Sequence, residues 1–458
     1  MLSRFIGKTT ETRKRKSFKF MKTRFAIRLF WENLSSNFWF IPTILSIVVT
    51  IVHFFLIHAD RTFRDEILQK IDFLWVGGID GAREVLSTIA TATISLTGVT
   101  FSVTIVALSL ASSQFGPRIL RNFLKDRGNQ FVLGTFISTF VYSLLVLRTL
   151  SKVNEEFFVP LISVTVAIVI SLVSVGTLVY FIHHISVSIQ APEVVTRAFQ
   201  ELETILQGIY AEKEFDEASK EAENRDYLDI KVFHNALQIH SKKSGYLRSI
   251  EADNLLALAS ESNLVLKIFV KTGKYLTSQD VLLEASPKEN CSDEIQEVLR
   301  THFVVGDTRT PFEDIEFAIS QLVEVAVRAL SPGINDPFTA IHCLDCLTNT
   351  MLQIMNRNNS PSILRDKQKQ IRIYMPVIDF NSLLYSAYSP IRQYGSSSAM
   401  VLCKSAECLK KLNAFASLNI HKEAIQEEAR RLAESIRQSP LIPADRLQCL
   451  SLLCEFQV

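Results

Sequence analysis

Four stretches of this 458-residue chain contain no Asp, Glu, Lys or Arg: between Glu32 and Asp60, from Val85 to Pro117, from Gly128 to Leu147 and from Phe157 to Ile182. A buried helix of a soluble protein rarely stays uncharged that long, and about 20 apolar residues are enough to cross the hydrocarbon core of a bilayer. The absence excludes an ordinary soluble N-terminal half and predicts spans near 38–58, 87–112, 130–149 and 158–182. It also argues against an ion-coupled or proton-coupled carrier, whose pathway needs ionisable groups at membrane depth. His53 is the titratable candidate deep in the first span. Alone there, it reads as hydrogen-bonded to a neighbouring helix rather than as part of a relay.

Cysteine is missing from the first 290 residues; Cys291, Cys343, Cys346, Cys403, Cys408, Cys449 and Cys454 all follow. An odd number confined to the soluble half argues against a disulfide framework and for a reducing compartment. Cys343 and Cys346 stand three apart beside His342, but no second pair at zinc-site spacing accompanies them. Core cysteines are the simpler assignment. Adjacent His183 and His184 point about 100° apart on a helix and make a poor chelate, which suits interfacial anchoring. No metal site is therefore expected. Walker loop, dinucleotide fingerprint, nucleophile elbow and HExxH are all absent. Nothing favours an enzyme or a cofactor, and no nucleic-acid partner is expected. A cleavable signal does not fit either: the first apolar block begins after some 36 residues, is too long, and has no small-residue cleavage site behind it.

What is present sets the direction of the crossings. Ten Lys and Arg fall within the first 28 residues, and residues 118–127 carry Arg118, Arg121, Lys125 and Arg127 against Asp126 alone. Residues 60–84 hold six acids and four bases. Basic short loops stay cytosolic, so both termini are expected in the cytosol. Trp31, Trp39 and Trp75 fall near predicted interfaces, where amphipathic rings prefer to lie.

The second span is dense in hydroxyls. Thr88, Ser95, Ser102 and Ser109 recur every seven residues, with Thr91 and Gly98 on the same face; Thr93, Thr97, Thr100 and Thr104 form a second stripe roughly opposite. Small and hydroxyl residues let membrane helices pack closely. They can equally line water where copies of one helix ring a pore. Two stripes accommodate both uses.

Beyond Pro192 the chain reads as soluble. An amphipathic helix is expected over 192–211, a charged connector over 212–225 and a further helix over 226–242. Short strands follow at Gly245–Leu247, Leu264–Val270, Gly273–Leu276 and Val281–Leu283, and helical spacing dominates from Asp314 on. The expected plan is a basic cytosolic segment over 1–36, a four-helix transmembrane domain over 37–186, a helical connector over 187–243, a β-rich module over 244–300 and an α-helical cytosolic domain over 301–458. Between helices 314–330 and 337–355 lies Ser331-Pro332-Gly333-Ile334-Asn335-Asp336-Pro337. Gly333 suits a C′ position, Asn335 or Asp336 an N-cap and Pro337 the first helical residue, which describes a rigid corner. A binding role for Asn335 and Asp336 beside helix N-terminal amides is secondary.

Several of these runs occur together in one known family. Leu86-Ser87-Thr88-Ile89-Ala90, Ser112-Ser113-Gln114-Phe115-Gly116-Pro117-Arg118 and Asn129-Gln130 with Leu133-Gly134-Thr135-Phe136 resemble the membrane signature of a bacterial family of predicted membrane proteins. Arg309-Thr310 with Asp314, and the Ser331–Pro337 corner, resemble its second signature. The resemblance covers roughly residues 30–400; the long basic N-terminus before Phe25 departs from it. It implies a bacterial inner-membrane setting and brings no catalytic residues with it.

The expectation is a homo-oligomeric inner-membrane channel or channel-like conductance gated by its cytosolic domain, passing a small ion. Thr88, Thr91, Ser95, Ser102 and Ser109 would line the pore. Arg118 and Arg121 would set the potential at its inner mouth or hold anionic membrane lipid. The alternative is a membrane-anchored sensor or scaffold for a cytosolic ligand, with no transport.

Overall fold

The computed structural model describes residues 39–62, 78–118, 126–153, 156–211, 233–310, 313–356, 363–376 and 379–456. The basic N-terminal segment, Trp31, Trp75, Arg121 and the charged connector 212–225 lie outside these residues. The chain divides into two compact units, 1–113 with 117–190, and 114–116 with 191–458.

Among the described residues of the first unit, four helices are long and apolar enough to cross a membrane: α1 (Phe40–Thr62), α2 (Ile79–Phe115), α3 (Arg127–Thr149) and α4 (Leu161–Ser188). A short antiparallel hairpin, β1 (Ser151–Val153) with β2 (Glu156–Phe158), joins α3 to α4. At 37 residues α2 is about 55 Å long, well beyond a hydrocarbon core of about 30 Å. The centre of this unit is α3. Its most apolar window is 61% buried, against 11% for α2. Gly134 explains part of this: a Cβ there would come within 2.7 Å of Leu45 Cδ1 and 3.2 Å of Pro42 Cα, so α1 and α3 approach closely only because the side chain is missing. Tyr142 and Val146 of α3 pack with Leu86 and Ile89 of α2 and Val164 and Ala167 of α4.

The second unit opens with α5 (Ala191–Ala211), a two-residue step after α4. Next come β3 (Leu237–His240), β4 (Gly245–Ile250), α6 (Ala252–Glu261), β5 (Val265–Ile268), β6 (Tyr275–Leu276), β7 (Val281–Ser286), α7 (Asp293–Thr301) and β8 (Phe303–Gly306). Then follow α8 (Ile315–Ala329), α9 (Pro337–Asn356), β9 (Ile363–Arg365), β10 (Ile371–Tyr374), α10 (Phe380–Tyr394), α11 (Ala399–Phe415), α12 (Asn419–Gln438) and α13 (Pro443–Ser451). The strands form a five-stranded sheet in the order β3-β7-β5-β10-β9 and a three-stranded sheet in the order β6-β4-β8. Leu247, Leu255, Leu266, Leu282 and Ile373 share one core between them.

Strands lie on both sides of the expected module. β3 falls where a helix was expected over 226–242, because Leu237 and Ile239 alternate with polar neighbours and pair with β7. β8, β9 and β10 fall in the stretch expected to be helical. β10 joins β5 in parallel, which only a tertiary contact across some hundred residues can specify. One disulfide, Cys403–Cys449, joins α11 to α13, against the expectation of free core thiols.

Candidate functional site in the membrane helices

On α2 the two hydroxyl stripes have opposite environments. Thr93 and Thr100 are 2% and 1% exposed, and Thr97 and Thr104 are half-buried. Thr88, Thr91, Ser95, Gly98, Ser102 and Ser109 are all exposed. At about 100° per residue the exposed stripe has an apolar flank on each side. One flank carries Val99, Val103, Val106 and Leu110; the other carries Ile94, Phe101 and Ile105, and all seven are exposed. The hydroxyls do not destabilise the helix in lipid, since several donate back to their own backbone. Ser95 Oγ donates to Thr91 O at 2.8 Å and Ser102 Oγ to Gly98 O at 2.9 Å. Each keeps an outward lone pair able to accept from water. Arg118, just beyond α2, is exposed. The structure therefore brings the five expected pore-lining residues onto one open face, with Arg118 following their helix.

The interior of the unit holds polar contacts that sequence reasoning did not foresee. Asp60, 4% exposed at the end of α1, accepts from Ile162 N at 2.8 Å, Ser163 N at 3.0 Å and Ser163 Oγ at 2.6 Å. It thereby caps the first turn of α4, where Pro160 at the N-cap offers no side-chain acceptor. Tyr142 Oη donates to Ser163 O at 3.1 Å. His53 lies edge-on to the Tyr142 ring, 6.1 Å between centroids, and its buried Nδ1 has no hydrogen-bond partner. At the far end of the bundle, Asp126 accepts from Gly128 N at 2.8 Å as N-cap of α3. His184 Nε2 lies 2.9 and 3.0 Å from its two oxygens. His184 is thus clamped to α3 and stacked on Tyr180, not simply an interfacial anchor. An Asp two residues before an uncharged run is a readable N-cap signal. The Asp60 contact, 102 residues distant in sequence, leaves none.

In the second unit the Ser331–Pro337 corner is held by backbone turns. Asn335 N donates to Ser331 O at 2.9 Å, and Asp336 N to Ala329 O at 2.7 Å. Asp336 caps α9 by accepting from Thr339 N at 3.1 Å, and Pro337 is its first residue. Asn335 takes the left-handed conformation (φ 50°), so it fills the conformational role expected of Gly333, which sits exposed in the turn. The other signature residues also build structure: Arg309 forms a two-pronged pair with Asp314, which caps α8 through Phe317 N at 2.9 Å. Cys343 and Cys346 are buried in α9; burial raises both thiols, Cys346 to about 11. No group of three or more His, Cys, Asp or Glu among the described residues is placed to hold a metal.

Residues 35–411 match a family described as Predicted membrane protein (DUF2254). The chain is 32% identical over 339 residues to uncharacterized proteins of Mycobacterium bovis and of Mycobacterium tuberculosis strain H37Rv. The match covers 72% of this chain and 64% of each relative, so the chain spans less than two thirds of their length. No solved structure matches it.

Proposed function

We propose, on the premise that this chain belongs to the Predicted membrane protein (DUF2254) family, that several copies assemble into an inner-membrane conductance for a small ion, gated by the second unit. One observation carries the reading: α2 buries Thr93 and Thr100 against its own bundle while Thr88, Thr91, Ser95, Ser102 and Ser109 stay open. Four spans are too few to enclose a wide path, so a lumen needs several copies. In a ring, the hydroxyl stripe of each α2 faces the axis, and its two apolar flanks meet the two neighbouring copies. The basic segments at 1–28 and 118–127 favour a cytosolic side for both termini, and on that orientation Arg118 and Arg121 belong to the inner mouth. The second unit begins two residues after α4, and that covalent link is the basis for gating.

The test is conductance of purified full-length protein in planar bilayers. Current is expected, and Ser102→Leu should reduce it by placing an isobutyl group on the axis. Silence across voltage, tension and osmotic shifts, with the protein verified as inserted, would instead support an anchored sensor or scaffold.

A further inference from the structure

A cleft of about 460 Å³ opens between α1 and α3. Thr43, Ser46, Ile47 and Thr50 form one wall, Ile137 stands on the other, and Trp39 lies at one end. The wall is chemically apolar in spite of its composition. Thr43, Ser46 and Thr50 each donate to their own helix, to the carbonyls of Trp39, Pro42 and Ser46, at 2.9, 2.8 and 2.8 Å. What faces the cleft is methyl and methylene surface, and at membrane depth such a gap has no water to fill it.

Its length is informative. From Trp39 to Ile51 an α-helix rises about 18 Å, close to one leaflet of a hydrocarbon core about 30 Å thick. Trp39, 53% exposed, is the residue type that marks headgroup level. The charge lies at the same end. Pro42 faces Gly134 and His53 faces Tyr142, so α1 and α3 run in the same direction. Arg127, exposed at the start of α3, is therefore about one turn beyond Trp39.

We propose that this cleft is a binding site for one anionic phospholipid, with an acyl chain along Thr43–Ile51 and its headgroup between Trp39 and Arg127. Cationic residues at headgroup level favour anionic over zwitterionic lipid. The site is independent of conduction and of which side of the membrane the termini occupy.

Trp39 makes the test direct. The chain has three tryptophans, so Trp31→Phe with Trp75→Phe leaves Trp39 as the sole reporter in the full-length protein. Reconstituted into phosphatidylcholine vesicles, it is titrated with phosphatidylglycerol, or with phosphatidylcholine, brominated near the headgroup end of its chains. Half-maximal quenching is expected at a several-fold lower mole fraction of the anionic lipid. Arg127→Gln should abolish that preference, and Ile137→Phe should fill the cleft and weaken quenching by both lipids. Ser46→Phe tests the opposite wall, should Ile137→Phe fail to fold. Equal quenching by the two lipids, meaning annular lipid only, overturns the proposal. So does protection from both, which would mean that a second copy covers the cleft.

Discussion

Asp60 performs at the start of α4 the capping that Pro160 cannot. A buried carboxylate accepting from two backbone amides and one hydroxyl satisfies groups that have no alternative inside a bilayer. Asp60→Ala should lower stability by about 1–3 kcal/mol, and Asp60→Asn, which keeps an acceptor, by less. Thermal unfolding of the full chain in detergent measures both. Equal stability of Asp60→Ala and the parent would show that the cap is not formed. A second residue-scale effect concerns pH. His421, in the first turn of α12, is 4% exposed against Phe380 and its Nδ1 has no hydrogen-bond partner; burial lowers its pKa from 6.5. The positive end of the helix disfavours a cation there as well. A lowered pKa in the folded state means that this contribution to stability is whole above pH 6.5 and is lost as pH falls from 6.5 towards the lowered value. Burial raises Glu428, facing Arg392 and Arg431, above its ordinary 4.5, so its contribution runs the other way: present below 4.5 and lost as pH rises through the raised value. Comparison with a variant isolates the histidine. His421→Leu should flatten the fall in melting temperature between about pH 7 and about pH 5, and an unchanged slope would place the effect elsewhere.

At the scale of elements, the Cys403–Cys449 bridge ties the final helix α13 to α11 across a sequence separation of 46. Loop closure of that size is worth roughly 4 kcal/mol where the bridge forms. Cys403→Ser with Cys449→Ser should therefore lower the melting temperature of the oxidised protein and leave the reduced protein nearly unchanged. The proposed cytosolic placement of the second unit carries a sharper expectation. Because Cys449 is 0% exposed, the thiols must be trapped by acid quenching of intact cells and alkylated after denaturation; both residues should then be labelled, and the bridge should form on oxidation after purification. Resistance to alkylation after acid trapping and denaturation would put the second unit in an oxidising compartment and reverse the topology. Neither cysteine hints at its partner in the sequence, since only the packing of α11 and α13 brings them together. The same physics separates what was legible from what was not. The four uncharged runs announce their helices because every residue must agree with the bilayer. The corner at 331–337 was legible because caps and turns are local, although Asn335 and not Gly333 adopts the positive φ. β3, β9 and β10 have three or four residues each and gain their identity from neighbours in the sheet. α6 and α7, ten and nine residues long, are too short to display a period against flanking strands.

At the scale of the whole molecule, the open face of α2 has to be completed by lipid, by another protein or by further copies. The periodicity of α2 distinguishes lipid from a ring of copies. If lipid alone surrounds the helix, the hydroxyl stripe and both apolar flanks share one environment. If copies form a ring, the stripe is wet, the flanks are dry and near their counterparts, and the Thr93 and Thr100 side stays sealed in its own bundle. Because all seven natural cysteines follow residue 290, single cysteines introduced into α2 are unique in the membrane unit, and replacing exposed Cys454 removes the competing exposed thiol of the second unit. Ser95→Cys and Ser102→Cys should react with a charged, membrane-impermeant thiol reagent at least tenfold faster than Thr93→Cys or Thr100→Cys. Val103→Cys on one flank with Ile105→Cys on the other, about 3 Å apart in height, should crosslink between copies under oxidation. Uniformly slow labelling and no crosslinks would mean that the hydroxyls serve only the helix backbone, as the Ser95 and Ser102 bonds to Thr91 and Gly98 already show they can. The spans would then be an anchor, and the activity of the molecule would lie in its second unit.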